Sequence, residues 1–316
     1  MTVAAPTFAD IEAARARLAG RVVRTPLIRL PVAGDNEVWL KLETLQPVGS
    51  FKLRGAGNRI LGAPEGELAG GVYTASAGNM AQGVAYIARA LGLAARVFVP
   101  DQAPDAKVNA IRALGGVVEK ISFDDWWTIM IDNGRAGEPG CFVHPVADTF
   151  VMAGNGTIGC EIVEDLPDVD AVMVPFGGGG LSCGIAAALR ALRPAAEVIA
   201  CEVEGAAPLA AALAAGAPRS IDYRRSFVDG IGSSAVLPAM WPVIEGLLTR
   251  SSTVPLVEVE AALRLLVNRM HLIVEGAAAT ALAAALRDGR SGQRIVCVMS
   301  GSGINFSEVV RIMAAG

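Results

Sequence analysis

Histidine is nearly missing from this chain of 316 residues, which contains only His144 and His271. No G-x-S-x-G elbow occurs either, so a Ser–His–Asp hydrolase has little to build on, and both histidines read most simply as packing or surface residues. Basic blocks are missing too. Lys and Arg number 27 against 31 Asp and Glu, a net charge of −4 with the signs interspersed, which argues against nucleic acid as a partner. The five cysteines (Cys141, Cys160, Cys183, Cys201 and Cys297) form no C-x-x-C pair and have apolar neighbours. They read as reduced, buried thiols rather than disulfides or metal ligands. Long apolar runs are lacking; 209–217 is short, alanine-rich and broken, unlike a membrane span. Residues 1–10 show no basic segment followed by an apolar core, so no export signal is expected. The expectation is a soluble cytoplasmic protein with no membrane partner, no internal repeat and no long linker.

What is present suffices for a large core: 53% of residues are hydrophobic and 18% charged. Thr7 and Asp10 start a capping-box helix over 7–18 that stops at Gly20. Strand-like runs at 38–42, 72–74, 95–99 and 117–121 alternate with helical patterns at 79–91 and 104–114. A second series follows Asn155: a helix to about 166, strand 171–176, helix 181–192 and strand 197–203. Helices around Leu209, over 259–270 and over 275–286 come next, then strand 294–299. Short apolar strands alternating with amphipathic helices predict parallel sheets. The fold expected is α/β, two doubly wound α/β domains with a ligand cleft between them. The stretch 122–140, with Trp126 and Trp127, reads as a partly packed surface helix.

Four segments carry chemistry. Gly177, Gly178, Gly179 and Gly180 lie between a buried-strand run and a helix, where free backbone N–H groups and the helix N-terminus suit an anion. A tight turn explains one or two of these glycines but not four. The dinucleotide spacing G-x-G-x-x-G fails, because Ser182 and Cys183 stand where its last glycine belongs, although Glu202 and Glu204 suit a ribose-binding acid. Lys52 sits among Phe51, Arg54 and Gly55. The plain reading is a surface lysine on a loop, but apolar and small neighbours would desolvate the amine and favour its free base. In 74–83, Ser76 and Asn79 join a strand to a helix and offer hydrogen bonds to a carboxylate, or simply helix caps. Ser300 ends the last strand and offers one neutral hydrogen bond. A reactive amine together with a phosphate cradle is what a chain needs to hold pyridoxal 5′-phosphate.

With these segments in this order, the chain resembles the fold-type II pyridoxal-phosphate enzymes of the serine/threonine dehydratase (ammonia-lyase) and serine racemase group. The fold implied is tryptophan synthase β-like. The likeness runs through 46–56, 74–83, 158–180, 229–234, Trp241-Pro242, 274–277 and the Ser300 turn. It implies that Lys52 binds the cofactor aldehyde covalently and then removes the Cα proton. Phe51 would pack beside the ring, while Gly177, Gly178, Gly179, Gly180 and Leu181 would hold the phosphate. Asn79 would meet the ring oxygen and Ser300 the ring nitrogen, with Gly230 and Glu275 completing the cofactor site. Ser76, Ala77, Gly78, Asn79 and Met80 would receive the substrate carboxylate. The activity implied is dehydration and deamination of a β-hydroxy amino acid resembling L-threonine or L-serine. The products are a 2-oxo acid and ammonia, with the cofactor phosphate as acid. A racemase or β-replacement enzyme is the alternative.

The chain departs from that pattern at three places. Racemases of the group have a serine base where Ala77 stands, so dehydration is favoured. Met80 replaces a usual histidine, which opens the site to a bulkier or less polar substrate. The final turn, Ser300-Gly301-Ser302-Gly303, is closer to the synthase relatives. Glu202 and Ala206 match positions of a metal site in some members, but Pro208 stands where a second acid is wanted, so no metal is expected. The chain ends soon after the Ser300 turn, so an appended regulatory domain is not expected. Residues 1–71 and 148–316 are expected to form a large cofactor-binding domain and 72–147 a small mobile one. Such relatives are commonly dimers or tetramers, so a homodimer or homotetramer is expected. A nicotinamide oxidoreductase and a non-catalytic small-molecule binder remain the rival classes.

Overall fold

The computed structural model describes residues 3–32 and 34–315. Its strands are β1 (Leu27–Leu30), β2 (Glu37–Lys41), β3 (Val72–Ala75), β4 (Ala95–Pro100), β5 (Val117–Ile121), β6 (Cys141–Phe142), β7 (Ala171–Pro175), β8 (Glu197–Val203), β9 (Ser251–Val254) and β10 (Arg294–Val298). They form a six-stranded sheet, β1-β2-β10-β7-β8-β9, and a four-stranded sheet, β5-β4-β3-β6. Only β1 runs antiparallel to its neighbour. Parallel strands covered on both faces read as continuous apolar runs, and β3 and β7 are buried throughout.

The pleat divides the large sheet between two cores. Ile295 and Cys297 pack with Met173, Ile199 and Leu40 on one face, while Val296 and Val298 pack with Val172, Val174 and Ala200 on the other. The alanine-rich helix Gly276–Arg287, buried over 276–285, lies against the first face. Helices Thr149–Asp165 and Gly180–Leu192 cover the second. These two helices touch backbone to backbone: a Cβ on Gly184 would collide with the Met152 carbonyl. That close crossing sets the depth at which the glycine loop enters its helix. A third core surrounds the small sheet. It includes Leu53, Ala56, Ile60 and Val151, all from outside 72–147, with Val72, Val97 and Ile111 from inside.

Several boundaries differ from the sequence reading. The helix expected to begin after Asn155 starts earlier, at Thr149, capped by the Asp148 side chain on the Val151 N–H. The helix expected over 259–270 is Leu256–Leu265, and its last turn widens into a π-turn, Leu266–Met270, that stops at His271 with φ of 53°. Strands β1, β6 and β9 escaped the pattern because they are short and all three lie at sheet edges. The partly packed surface helix expected within 122–140 is Phe123–Ile131; Phe123 and Trp127 stack on its exposed side. All five cysteines are free and buried. No helix among the described residues is long and apolar enough to cross a membrane.

Candidate active site

The site lies at the C-terminal ends of β3, β6, β7 and β10, where open α/β sheets bind ligands. Lys52 is the first residue of helix Lys52–Leu61, not a loop lysine. Its segment is joined to the Ser300 turn: the Phe51 N–H donates to the Ser300 carbonyl at 3.0 Å and the Ser302 N–H to the Gly49 carbonyl at 2.9 Å. From that start the Lys52 amine donates to the Pro145 carbonyl at 2.7 Å and lies 5.1 Å from the centroid of the buried Phe51 ring. Burial pushes the amine down to about 8, partly opposed by the negative charge of Glu275.

A buried ionic network fixes the same helix from behind. The Arg54 guanidinium forks onto Glu43, with Nε to Oε2 and Nη2 to Oε1 both 2.8 Å, and onto Glu161 at 2.6 and 2.8 Å. Lys41 donates to Glu161 at 2.6 Å and to the Thr25 carbonyl at 2.6 Å. Two cations thus face two carboxylates. Burial disfavours the charge on Arg54, but its two carboxylates outweigh that and raise its pKa. Replacing a buried pair by apolar groups is often neutral, whereas removing one partner is costly, so this network is read as a brace on the lysine helix.

The glycine loop follows β7. Among the described residues no protein group accepts the backbone N–H of Gly177, Gly178, Gly179, Gly180 or Leu181. Gly179 has φ of 95°, open to glycine at little cost. The others are glycine because walls stand close. A Cβ on Gly177 would lie 3.3 Å from the Gly230 carbonyl, one on Gly178 2.7 Å from Val146 Cγ1, and one on Gly180 3.1 Å from the Val146 carbonyl. Asn155 donates to the Gly180 carbonyl at 3.2 Å.

A third group meets at Glu275, whose buried carboxylate accepts from Ser300 Oγ at 2.8 Å and from Asn79 Nδ2 at 2.9 Å. Burial raises its pKa, opposed by those two hydrogen bonds. Gly230 is beside it: a Cβ there would lie 3.9 Å from the carboxylate. Asn79 opens helix Asn79–Ala90, which has no side-chain cap, so its first N–H groups are available to an anion. Ser76 Oγ accepts from the Gly78 N–H at 3.2 Å, shaping that turn rather than capping the helix. The structure therefore brings together Phe51, Lys52, Ser76, Asn79, the glycine loop, Gly230, Glu275 and Ser300. The Met80 side chain turns away into the third core with Leu53 and Ile111.

Sequence reasoning missed the tie between Glu275 and both Asn79 and Ser300. It also left Glu202 open as a ribose-binding acid. That carboxylate accepts the Leu209 and Ala210 N–H groups at 2.8 and 2.9 Å and Ser251 Oγ at 2.6 Å. Both oxygens cap helix Pro208–Ala215, and burial raises the pKa of the acid. Among the described residues no group of three His, Cys, Asp or Glu is placed to hold a metal ion.

Comparison with known proteins agrees with this geometry. The profile of the family described as pyridoxal-phosphate dependent enzyme matches residues 18–301. An L-threonine ammonia-lyase of Thermotoga maritima is 35% identical over 317 residues, covering 98% of this chain and 79% of that protein. A solved structure of maize serine racemase matches with a TM-score of 0.89 at 28% identity, covering 99% of this chain and 98% of that one. The processed form of threonine deaminase isoform 2 from Solanum lycopersicum matches with a TM-score of 0.85 at 29% identity, covering 99% and 96%. This chain belongs to the pyridoxal-phosphate dependent enzyme family, and its fold is that of the fold-type II members. Its own residues fit the cofactor: the unpaired N–H groups of the glycine loop suit a phosphate, glycine at 177–180 leaves the loop without side chains of its own, and the part-buried amine of Lys52 suits an aldehyde.

Proposed function

We propose that the protein dehydrates and deaminates a β-hydroxy amino acid of the L-threonine or L-serine type, giving a 2-oxo acid and ammonia. The observation that carries this reading is one basic amine, Lys52, with Ala77 where a second proton carrier would have to stand. The curated relative named L-threonine ammonia-lyase, similar over nearly the whole chain, supports the same reading. When bound, pyridoxal phosphate supplies an electron sink that acidifies the Cα–H of an amino acid joined to it.

The protein's part divides among few residues. Gly177 to Leu181 hold the phosphate through backbone N–H groups, and Phe51 flanks the ring. The N–H groups at the start of helix Asn79–Ala90, with Ser76, hold the substrate carboxylate. Lys52, whose amine is held by the Pro145 carbonyl, would as free base take the Cα proton. A substrate that has lost its Cα proton, and its β-hydroxyl as water, is an enamine, which tautomerises to an imine and takes up one water to give 2-oxo acid and ammonia. Ser300, whose hydroxyl is oriented by the Glu275 carboxylate that accepts from it at 2.8 Å, would face the ring nitrogen as a neutral partner. A neutral partner at that nitrogen limits the electron sink and favours elimination over transamination.

In this reading 72–147 is a small mobile unit that closes on substrate, the rest is the cofactor-binding unit, and the protein works as a cytoplasmic homodimer or homotetramer. The test is 2-oxo acid release by the purified, pyridoxal-phosphate-loaded protein across a panel of 3-hydroxy amino acids. Release with one or more of them is expected. Formation of only the D-isomer, or of a product only when a second nucleophile is supplied, would replace this reading with racemisation or β-replacement.

A further inference from the structure

We propose that His144 is a positioning residue that holds two halves of the site, the Lys52 amine and the glycine loop, in register through one turn of chain. The inference rests on assigning both halves to pyridoxal phosphate. His144 follows β6 and is 1% exposed. Its Nδ1 accepts the Val146 N–H at 2.9 Å and the Ala147 N–H at 2.7 Å. An acceptor of two N–H groups carries no proton, so the ring's proton is on Nε2 and is donated to the Met130 carbonyl at 3.1 Å. Burial keeps the ring neutral, pushing its pKa down to about 4.

The turn so held, Pro145 to Ala147, serves both halves of the site. The Pro145 carbonyl receives the Lys52 amine at 2.7 Å. Val146 walls the glycine loop, close enough that neither Gly178 nor Gly180 has room for a side chain. The chain is fixed on either side as well: the Val143 N–H donates to the Tyr73 carbonyl at 2.8 Å and the Asp148 N–H to the Val146 carbonyl at 3.1 Å. Between those points, among the described residues, only the imidazole satisfies the Val146 and Ala147 N–H groups. Without it, the carbonyl that docks the amine and the wall of the phosphate cradle lose the same support.

The test uses the full-length protein stripped of cofactor, with the variants His144→Asn, His144→Gln and His144→Leu. Asparagine places its Oδ1 where Nδ1 stands; glutamine carries its amide one carbon too far to accept from both N–H groups. Two quantities are read. One is the rate of covalent capture of pyridoxal phosphate at Lys52, trapped by borohydride and located by peptide mass. The other is affinity for pyridoxine 5′-phosphate, which has the phosphate tail but no aldehyde. Both are expected to fall roughly tenfold in the glutamine and leucine variants, as for a lost buried hydrogen-bond partner, and to recover most of the way in the asparagine variant. Native capture by His144→Leu would overturn the role of His144, as would equal losses in the asparagine and glutamine variants. If the leucine variant does not fold, the asparagine–glutamine pair decides. A native protein that captured no cofactor at Lys52 would instead remove the cofactor assignment on which the inference stands.

Discussion

Lys52 offers the sharpest test of the site's electrostatics. An ordinary lysine titrates at 10.5, whereas burial brings this amine to about 8. At pH 7 the free base is then roughly one molecule in ten instead of about one in three thousand, a gain of ~300-fold. Pulse acetylation of the cofactor-free protein, with a free lysine analogue as internal standard, measures that fraction by peptide mass at each pH. The half-labelling point is expected near 8, and Glu275→Gln is expected to lower it further by removing a negative charge that favours the ammonium. Stability moves with the same group. Because the folded-state value lies below the unfolded one, the buried ammonium is fully destabilising below pH 8, and the effect fades as pH rises toward 10.5. Against a Lys52→Met variant, the native cofactor-free protein therefore gains at most about 3 kcal/mol over that window, read by denaturant unfolding. A half-labelling point shared with the free analogue would refute the reasoning.

Three further outcomes are expected. Arg54→Leu strands Glu43 and Glu161 without their shared cation and should destabilise the protein by about 3–5 kcal/mol in denaturant unfolding. Gly178→Ala drives a methyl into Val146 and should weaken pyridoxine 5′-phosphate binding about tenfold by calorimetry, with helix content unchanged in circular dichroism. With Ala77 unable to carry a proton, turnover of L-serine in D2O should leave the recovered substrate in the L-form; accumulation of D-serine by chiral chromatography would contradict the single-base reading.

The parts legible in the sequence were those whose chemistry is local. Four consecutive glycines between an apolar strand and a helix, or a lysine framed by Phe51 and Gly55, announce their surroundings within a few residues. The parallel strands β3, β4, β7, β8 and β10 were also legible as largely apolar buried runs, and the exposed edge strand β5 as a short run between helical patterns. Edge strand β9 was not, since Ser251, Ser252 and Thr253 carry no such signal. Nor could spacing reveal that Arg54 joins Glu43 to Glu161, or that Glu275 answers to both Asn79 and Ser300, since those meetings depend on how two sheets pack. His144 was dismissed for the same reason: its partners are backbone N–H groups and a carbonyl, which every residue has. The only local hint was its place beside Pro145, directly after the buried run Cys141, Phe142 and Val143.

The hydrogen bonds that tie Phe51 to Ser300 and Gly49 to Ser302 have a consequence for biogenesis. Roughly 250 residues separate the two ends of that clasp, so a ribosome-bound chain cannot fasten it until synthesis has passed the Ser300 turn. The vitamin-derived group thus meets a finished lysine pocket only once the Ser300 turn has been made, and a fragment released before that point has no such pocket to offer.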